Sequence, residues 1–310
     1  MNRAALVEHA RETIAAGSKS FAAASKLFDP VTRERAWLLY AWCRHCDDLA
    51  DGQVMGGALN SLGCGVPDPV ERISIMRGLT AKALSGRTTG EPAFDCLGVV
   101  AAECRLPPAV VEDVLAGFAL DAADWRPRSE GDLHQYCYHV AGAVGVLMAV
   151  VMGVDPDDCE TLDRACDLGL AFQLANVARD VEEDDRAGRC YLPLEWLVEM
   201  DMEPGQHLRP WHRERLVTLV ARLCDQAERY EASARVGAAR LPVRSRWAVL
   251  AAAGIYGDIA RGVRRRGAHA WDHREVTTKA AKARWIARAA VQARRAPVEV
   301  GRKGLWTRAG

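Results

Sequence analysis

An all-α fold, a single helical domain over 1–290, is what this sequence predicts, and three observations predict it. Ala and Arg, followed by Leu and Val, are the commonest of the 310 residues while aromatics supply only 6% of them, and abundant Ala, Arg and Leu with few aromatics favour helix over strand. No period-two alternation persists anywhere along the chain, so no half-buried strand is expected. Two long stretches free of Gly and Pro, 38–51 and 170–185, carry apolar residues at helical recurrence.

In chain order, breakers and caps divide the sequence into helices. Asp29-Pro30 and Asp68-Pro69 each start one, because an Asp can cap the exposed N–H groups and a Pro fits the first turn. Gly56, Gly57, Gly63 and Gly65 make the 52–67 segment read as a surface connection directly after Asp51. Gly86 to Gly90 and Pro107-Pro108 mark further turns, and Ser129-Glu-Gly-Asp132 forms a capping box for the helix that reaches Tyr136. The apolar run Val140 to Val154 is short of the ~20 residues a spanning helix needs, and reads as a buried helix. Its Ala141, Gly142, Ala143, Gly145 and Ala149 leave room for close helix packing or for a long ligand. The face Ala141, Val144, Gly145, Met148 is the candidate lining for such a ligand. Pro193 closes the loop after 185, and Pro210 and Pro242 start two late helices. Beyond 290 a loose basic tail is expected over 291–310.

The chemistry lies on two stripes. At about 100° per residue, Gln173, Asn176, Asp180 and Asp184 fall within an arc of roughly 80°, and Tyr40, Arg44, Asp47 and Asp51 within roughly 60°. Carboxylates and amides on one face are oxygen ligands, which hard divalent cations such as Mg²⁺ take together with substrate phosphates. Facing each other across a bundle, two such stripes would grip several ions, and those would hold a diphosphate. Asp184 and Asp185 alone read more readily as a solvated acidic face, but Gln173 and Asn176 sit among Leu, Ala, Phe and Val, where a polar group needs a partner.

At these residues the sequence resembles the squalene/phytoene synthase family, most nearly its bacterial phytoene synthases. Tyr40-Ala-Trp-Cys-Arg44 with Asp47 and Asp51 is similar to the first aspartate-rich motif. Gln173-x-x-Asn176-x-x-Arg179-Asp180-x-x-x-Asp184, followed by Arg189-Cys-Tyr191-Leu-Pro193, is similar to the second. Gly17-Ser18-Lys19-Ser20-Phe21 and Tyr136-Cys-Tyr138-His-Val-Ala-Gly142 resemble the family as well, and the likeness runs from about Val7 to Trp285. The resemblance implies an isoprenoid-synthase-like bundle around a central cavity. It implies Mg²⁺, with Mn²⁺ as a substitute, on Asp47, Asp51, Asn176, Asp180 and Asp184, with no NADPH. Those aspartates, Tyr40 and Arg44 would be catalytic; Ser18, Lys19, Ser20, Tyr136, Gln173, Arg179, Tyr256, Arg274 and Lys282 would bind substrate. The activity implied is head-to-head joining of two geranylgeranyl diphosphates to phytoene through a cyclopropyl-carbinyl diphosphate. The alternatives are squalene or dehydrosqualene synthesis from farnesyl diphosphate, and a non-catalytic scaffold. A scaffold would be expected to have lost metal-binding aspartates, and every one is present.

Composition excludes other classes. A formal charge of zero gives no general attraction to nucleic acid. Ten scattered cysteines in a chain of this size read as reduced thiols, and Cys43-Arg-His-Cys46, inside a helix and without a second pair, is a poor zinc site. No Glu is followed three residues later by His, which removes a di-iron bundle. Charged residues at Arg3, Glu8, Arg11 and Glu12 leave no signal peptide. Arg261, Arg264, Arg265, Arg266, Arg284 and Arg288 make the last third basic, with few acids beyond Asp272 and Glu275. The expected location is cytoplasmic, peripheral on the inner membrane face through this basic third, with contact to downstream carotenoid enzymes.

Overall fold

A computed structural model describes residues 1–50, 53–54, 57–58 and 68–308, with only the backbone described at 19, 20, 53, 54, 57 and 58. Asp51, Cys64 and most of the glycine-rich connection lie outside the described residues. The chain divides into two compact units, one formed by 1–123 and 146–158, the other by 124–145 and 159–310.

The first unit begins with α1 (Arg3–Gly17) and α2 (Lys19–Ser25), followed by α3 (Pro30–Ala50). Asn2 caps α1 by accepting from the Ala5 N–H at 2.9 Å. Asp29 accepts from Val31 and Thr32 at the head of α3, both at 3.0 Å. Then come α4 (Pro69–Leu84), α5 (Pro92–Cys104) and α6 (Pro108–Ala122), each with Pro in its first turn. Asp68 caps α4 as its sequence signature requires. Leu6, Ile14, Leu38, Trp42, Phe94 and Leu97 are among the side chains that fill the core. Arg3 bridges Glu34 and Glu103, and Arg35 also reaches Glu103 at 2.9 Å, which ties α1, α3 and α5 together. A two-residue ladder, β1 (Gln53–Val54) against β2 (Gly57–Ala58), follows α3. Strands this short carry no alternation, so the sequence could not announce them.

The second unit opens with α7 (Glu130–Cys137), whose Ser129 and Asp132 form the expected reciprocal capping box. A π-helical turn, Tyr138–Gly142, joins it to α8 (Ala143–Val151), whose residues from 146 on are counted in the first unit. Next come α9 (Cys159–Arg186) and the short α10 (Leu194–Glu199). A 3₁₀ turn at Pro210–His212 leads into α11 (Arg213–Gly237). The last helices are α12 (Val243–Arg266) and α13 (Lys279–Gln292). At 28 residues, α9 is about 42 Å long, and it packs on α11 and α12. Leu170, Leu174, Leu219, Leu223, Tyr230 and Val263 are buried where they meet.

The small residues around 141–145 serve packing. A Cβ on Gly145 would come within 2.6 Å of the Ala165 carbonyl oxygen, and one on Gly142 within 2.7 Å of Leu170. Gly169 of α9 lies so close to the Ala141 carbonyl that no side chain fits there. The backbones therefore touch, and Gly145 lines no ligand channel. Gly145→Leu is expected to overpack this crossing and cost about 1–3 kcal/mol. Its melting temperature should fall while the rate ratio on geranylgeranyl and farnesyl diphosphate stays constant. A shifted ratio at unchanged melting temperature would reverse this assignment.

The expectation of a loose tail is corrected at 300–308. Arg302 donates to both oxygens of Asp167 at 2.8 Å, and Asp167 is fully buried. Arg308 pairs with Asp163 at 3.0 Å. The Trp306 N–H donates to the Tyr230 hydroxyl, and its ring packs on Tyr138 at 5.5 Å. Two acids on α9, hidden among apolar residues in the sequence, are what hold this segment.

Candidate active site

In the first unit, the turn between α1 and α2 is placed over α3. A Cβ on Gly17, the last residue of α1, would stand 2.6 Å from the Tyr40 hydroxyl, so any larger residue there would have to displace that hydroxyl. Phe21 meets the Tyr40 ring edge-on at 5.5 Å. Ser18, a predicted substrate ligand, uses its hydroxyl to cap α2 by accepting from Phe21 N–H at 3.2 Å. The side chains of Lys19 and Ser20 lie outside the described atoms. One turn along α3, Arg44 donates to Asp47 at 3.0 Å and to Asp48 at 2.6 Å. Asp48 is buried and Asp47 half exposed. Burial pushes the Tyr40 phenol above its ordinary range, so it stays a neutral donor. Sequence reasoning quoted Gly17 only within a family-like motif and passed over Asp48. The adjacency of Asp48 to Asp47 was its only signal, and the stripe geometry set it aside.

In the second unit, Gln173, Asn176, Asp180 and Asp184 all lie on α9. The Asn176 amide donates to the Gln173 carbonyl oxygen at 3.4 Å. Arg179 clasps Asp180 with two hydrogen bonds, and Arg274 adds two more, each 3.2 Å. Arg274 also pairs with Glu183 at 3.4 Å. Tyr256 of α12 stacks on Phe172, next to Gln173, with ring centres 4.2 Å apart. Tyr136 is buried in a ladder of rings, stacked on Trp125 at 5.5 Å and on Tyr191 at 4.9 Å. Lys282 lies on α13, partly buried. Arg179, Glu183, Arg213, Trp271 and Arg274 line an open groove of about 300 Å³.

Two neighbouring carboxyls have opposite electrostatics. Burial would raise Asp180, but the Arg179 hydrogen bonds and charge, with Arg274, hold it below the usual carboxylate range. Burial, then the Asp180 charge, push Asp184 up to about 7. A cation beside both would remove that cost, and every group on the stripe offers oxygen, so the donors fit a hard divalent ion. Among the described residues no three His, Cys, Asp or Glu side chains converge as a closed cage. An open site completed by phosphate oxygens is the arrangement that suits Mg²⁺. Burial pushes the Cys43 thiol up to about 12 and raises Cys46 well above its ordinary value, so both stand as neutral thiols beside the stripe.

The raised carboxyl has a testable sign. A folded-state pKa of about 7 against 3.8 for an ordinary Asp means that the folded protein binds more protons than the unfolded one between those values. Stability from this group is present at the acid end and is lost as pH rises towards 7. Metal-stripped protein is therefore expected to melt lower as pH rises through that window, and Asp184→Asn should flatten the slope. Asp180, depressed below 3.8, acts oppositely and only at more acid pH. Melting curves in chelator decide; equal slopes in parent and variant would refute the assignment.

A model of the family described as squalene/phytoene synthase matches residues 14–282. This chain belongs to the squalene/phytoene synthase family. It is 45% identical over 293 residues to the 15-cis-phytoene synthase of Pantoea ananas, covering 94% of each chain. It is 42% identical to the phytoene synthase of Pseudescherichia vulneris, covering 99% of each. Among solved structures it is similar to a dehydrosqualene synthase in complex with ligand. The TM-score is 0.79 at 25% identity, over 93% of this chain and 96% of that one. The all-α, isoprenoid-synthase-like class is thus that of the family, and the chain is a prenyltransferase enzyme.

Proposed function

We propose that the chain joins two geranylgeranyl diphosphates head to head, releasing both diphosphates and forming phytoene for carotenoid biosynthesis. Identity of 45% to a 15-cis-phytoene synthase across nearly the whole of both chains carries this reading. The oxygen stripe of α9 and the arginine clasp beside it support it. An allylic diphosphate ionises only when its leaving group is stabilised. Asn176, Asp180 and Asp184 would hold Mg²⁺ in the second unit, and Asp47 and Asp51 in the first. The bound ion supplies Lewis-acid stabilisation of the departing diphosphate.

The chain's own groups do the remaining work. Arg274 and Arg179 present charged donors for phosphate oxygens, and Arg44 does the same beside Asp47. Tyr256, stacked on Phe172, and the neutral Tyr40 orient substrate by hydroxyl and ring. Tyr136 acts from its ring ladder, Gln173 through its amide, and Ser18, Lys19, Ser20 and Lys282 by family likeness. In the first half-reaction C1 of one chain loses its diphosphate and bonds to the C2=C3 double bond of the other, and loss of a C1 proton closes the second C–C bond, which leaves the cyclopropyl-carbinyl diphosphate. The second expels the other diphosphate, and proton loss after rearrangement gives phytoene. No side-chain nucleophile and no NADPH enter. Incubation with geranylgeranyl or farnesyl diphosphate, with Mg²⁺ and without NADPH, followed by product mass, tests the reading. A C40 hydrocarbon from the first substrate supports it. A C30 product alone would assign dehydrosqualene chemistry, which the likeness to the dehydrosqualene synthase structure keeps as the second reading.

Peripheral docking on the inner membrane face belongs to the same proposal. Among the described residues no helix is long and apolar enough to cross a membrane. In and just after α13, exposed Ile286, Val291 and Val298 accompany Arg284, Arg288 and Arg294. Anionic liposomes should sediment the protein at low salt and release it at high salt; absence of binding at low salt would give the basic face another role.

A further inference from the structure

The segment from 271 to 285 carries four cations, Arg274, Lys279, Lys282 and Arg284, and a buried tryptophan lies three residues from Arg274 and three from Lys282. Trp271 is 6% exposed, and its indole N–H donates to the Ala178 carbonyl of α9 at 3.0 Å, two residues before Asp180. Trp285 is 9% exposed and donates to Asp258 of α12 at 2.6 Å. Its ring fills a notch at Gly254, where a Cβ would come within 2.2 Å of the ring carbons. Arg235, Arg261 and Arg288 surround the same ring at 5.0–5.6 Å. Between the two tryptophans the chain is laced down twice more. Glu275 sits in a second notch, 2.5 Å from where a Gly262 Cβ would stand, and pairs with Arg266. The Thr277 hydroxyl donates to the Ile255 carbonyl at 2.8 Å.

These ties exceed what attaching a helix requires. A single apolar face would hold α13 on α12, yet each end of the segment is fixed by a directional bond to a rigid helix acceptor. Two of the glycines of α12 are spent on close approach. A long, half-exposed cation such as Arg274 loses rotamer freedom when it binds an anion, and fixing its backbone beforehand reduces that loss. We infer that Trp271 and Trp285 are positioning residues that hold Arg274 and Lys282 in register with α9 and α12 for diphosphate. The inference rests on the reading of those two cations as diphosphate ligands.

Double-mutant cycles on the full chain test it, with inorganic pyrophosphate plus Mg²⁺ as probe, followed by titration calorimetry. Trp271→Phe and Trp285→Phe keep an aromatic ring, remove the N–H and lose part of the indole volume. Each is expected to weaken pyrophosphate binding about fivefold, the scale of one lost hydrogen bond. Arg274→Gln and Lys282→Gln should weaken it about tenfold or more. The decisive result is non-additivity: Trp271→Phe should add less than twofold in the Arg274→Gln background, and Trp285→Phe less than twofold in Lys282→Gln. A purely structural role would instead lower melting temperature and affinity by the same factor in both backgrounds, and full additivity would overturn the inference. If Arg274→Gln and Lys282→Gln leave affinity unchanged, the cations are not diphosphate ligands, and the reading falls together with the inference. Should Trp285→Phe lose helicity, Asp258→Ala, which removes the Trp285 acceptor together with the Arg261 and Arg284 pairings and leaves the ring, carries the same cycle against Lys282→Gln.

Discussion

Asp180→Asn is expected to abolish turnover while leaving the helical fold intact, and Asp47→Asn to do the same from the first unit. Removing one oxygen ligand of a leaving-group metal removes on the order of a few kcal/mol of barrier lowering, which is about 10²–10³-fold in rate. Asp180 has a second reason to be sensitive. It is the common partner of Arg179 and Arg274, so an amide there also loosens both cations. Asn keeps the volume and one oxygen, and the fold should stay unchanged by circular dichroism. Rates on geranylgeranyl diphosphate at saturating Mg²⁺ measure the effect. Activity within tenfold of the parent, at equal helicity, would remove Asp180 from the metal site.

Arg302→Met should be the most destabilising change far from that stripe. Asp167 is fully buried and has Ser233 and Arg302 as partners. Taking away the cation strands a carboxylate in a low-dielectric interior, a change that costs about 3–5 kcal/mol when the pair is dry. Arg302 retains 17% exposure, so about 3 kcal/mol, at the low end of that range, is expected. Combining Arg302→Met with Asp167→Asn should recover most of the loss, because the stranded charge is gone. Urea denaturation gives both values. A truly loose tail would make both Arg302→Met and deletion of 297–310 neutral.

Much of the molecule was legible in one dimension because its signals are local. A cap and the helix it starts lie within three residues, as at Asp68 and Ser129. An oxygen stripe needs only the 3.6-residue period, so Asn176, Asp180 and Asp184 could be put on one face before any coordinates. The family motifs are local for the same reason. Less legible were the small residues at 141–145. Their composition suits a channel or a helix crossing equally, and only the Ala165 carbonyl, 2.6 Å from a Gly145 Cβ position, decides between them. The basic third misled by appearing short of acids. Its partners come from other helices: Asp225 for Arg264 and Glu231 for Arg261.

By itself, then, the sequence determined the helical class, the starts of most helices, the oxygen-donor stripes and the family. Each depends on neighbours within a turn or two. Only the tertiary structure decided that Asp180 is held by Arg274, 94 residues away, and that Asp167 is neutralised by Arg302, 135 residues away. Only it set Asp180 low and Asp184 near 7 on a single helix face. Charge pairing and desolvation are set by distance in space and by exclusion of water, and neither quantity is written in the spacing of residues along a chain.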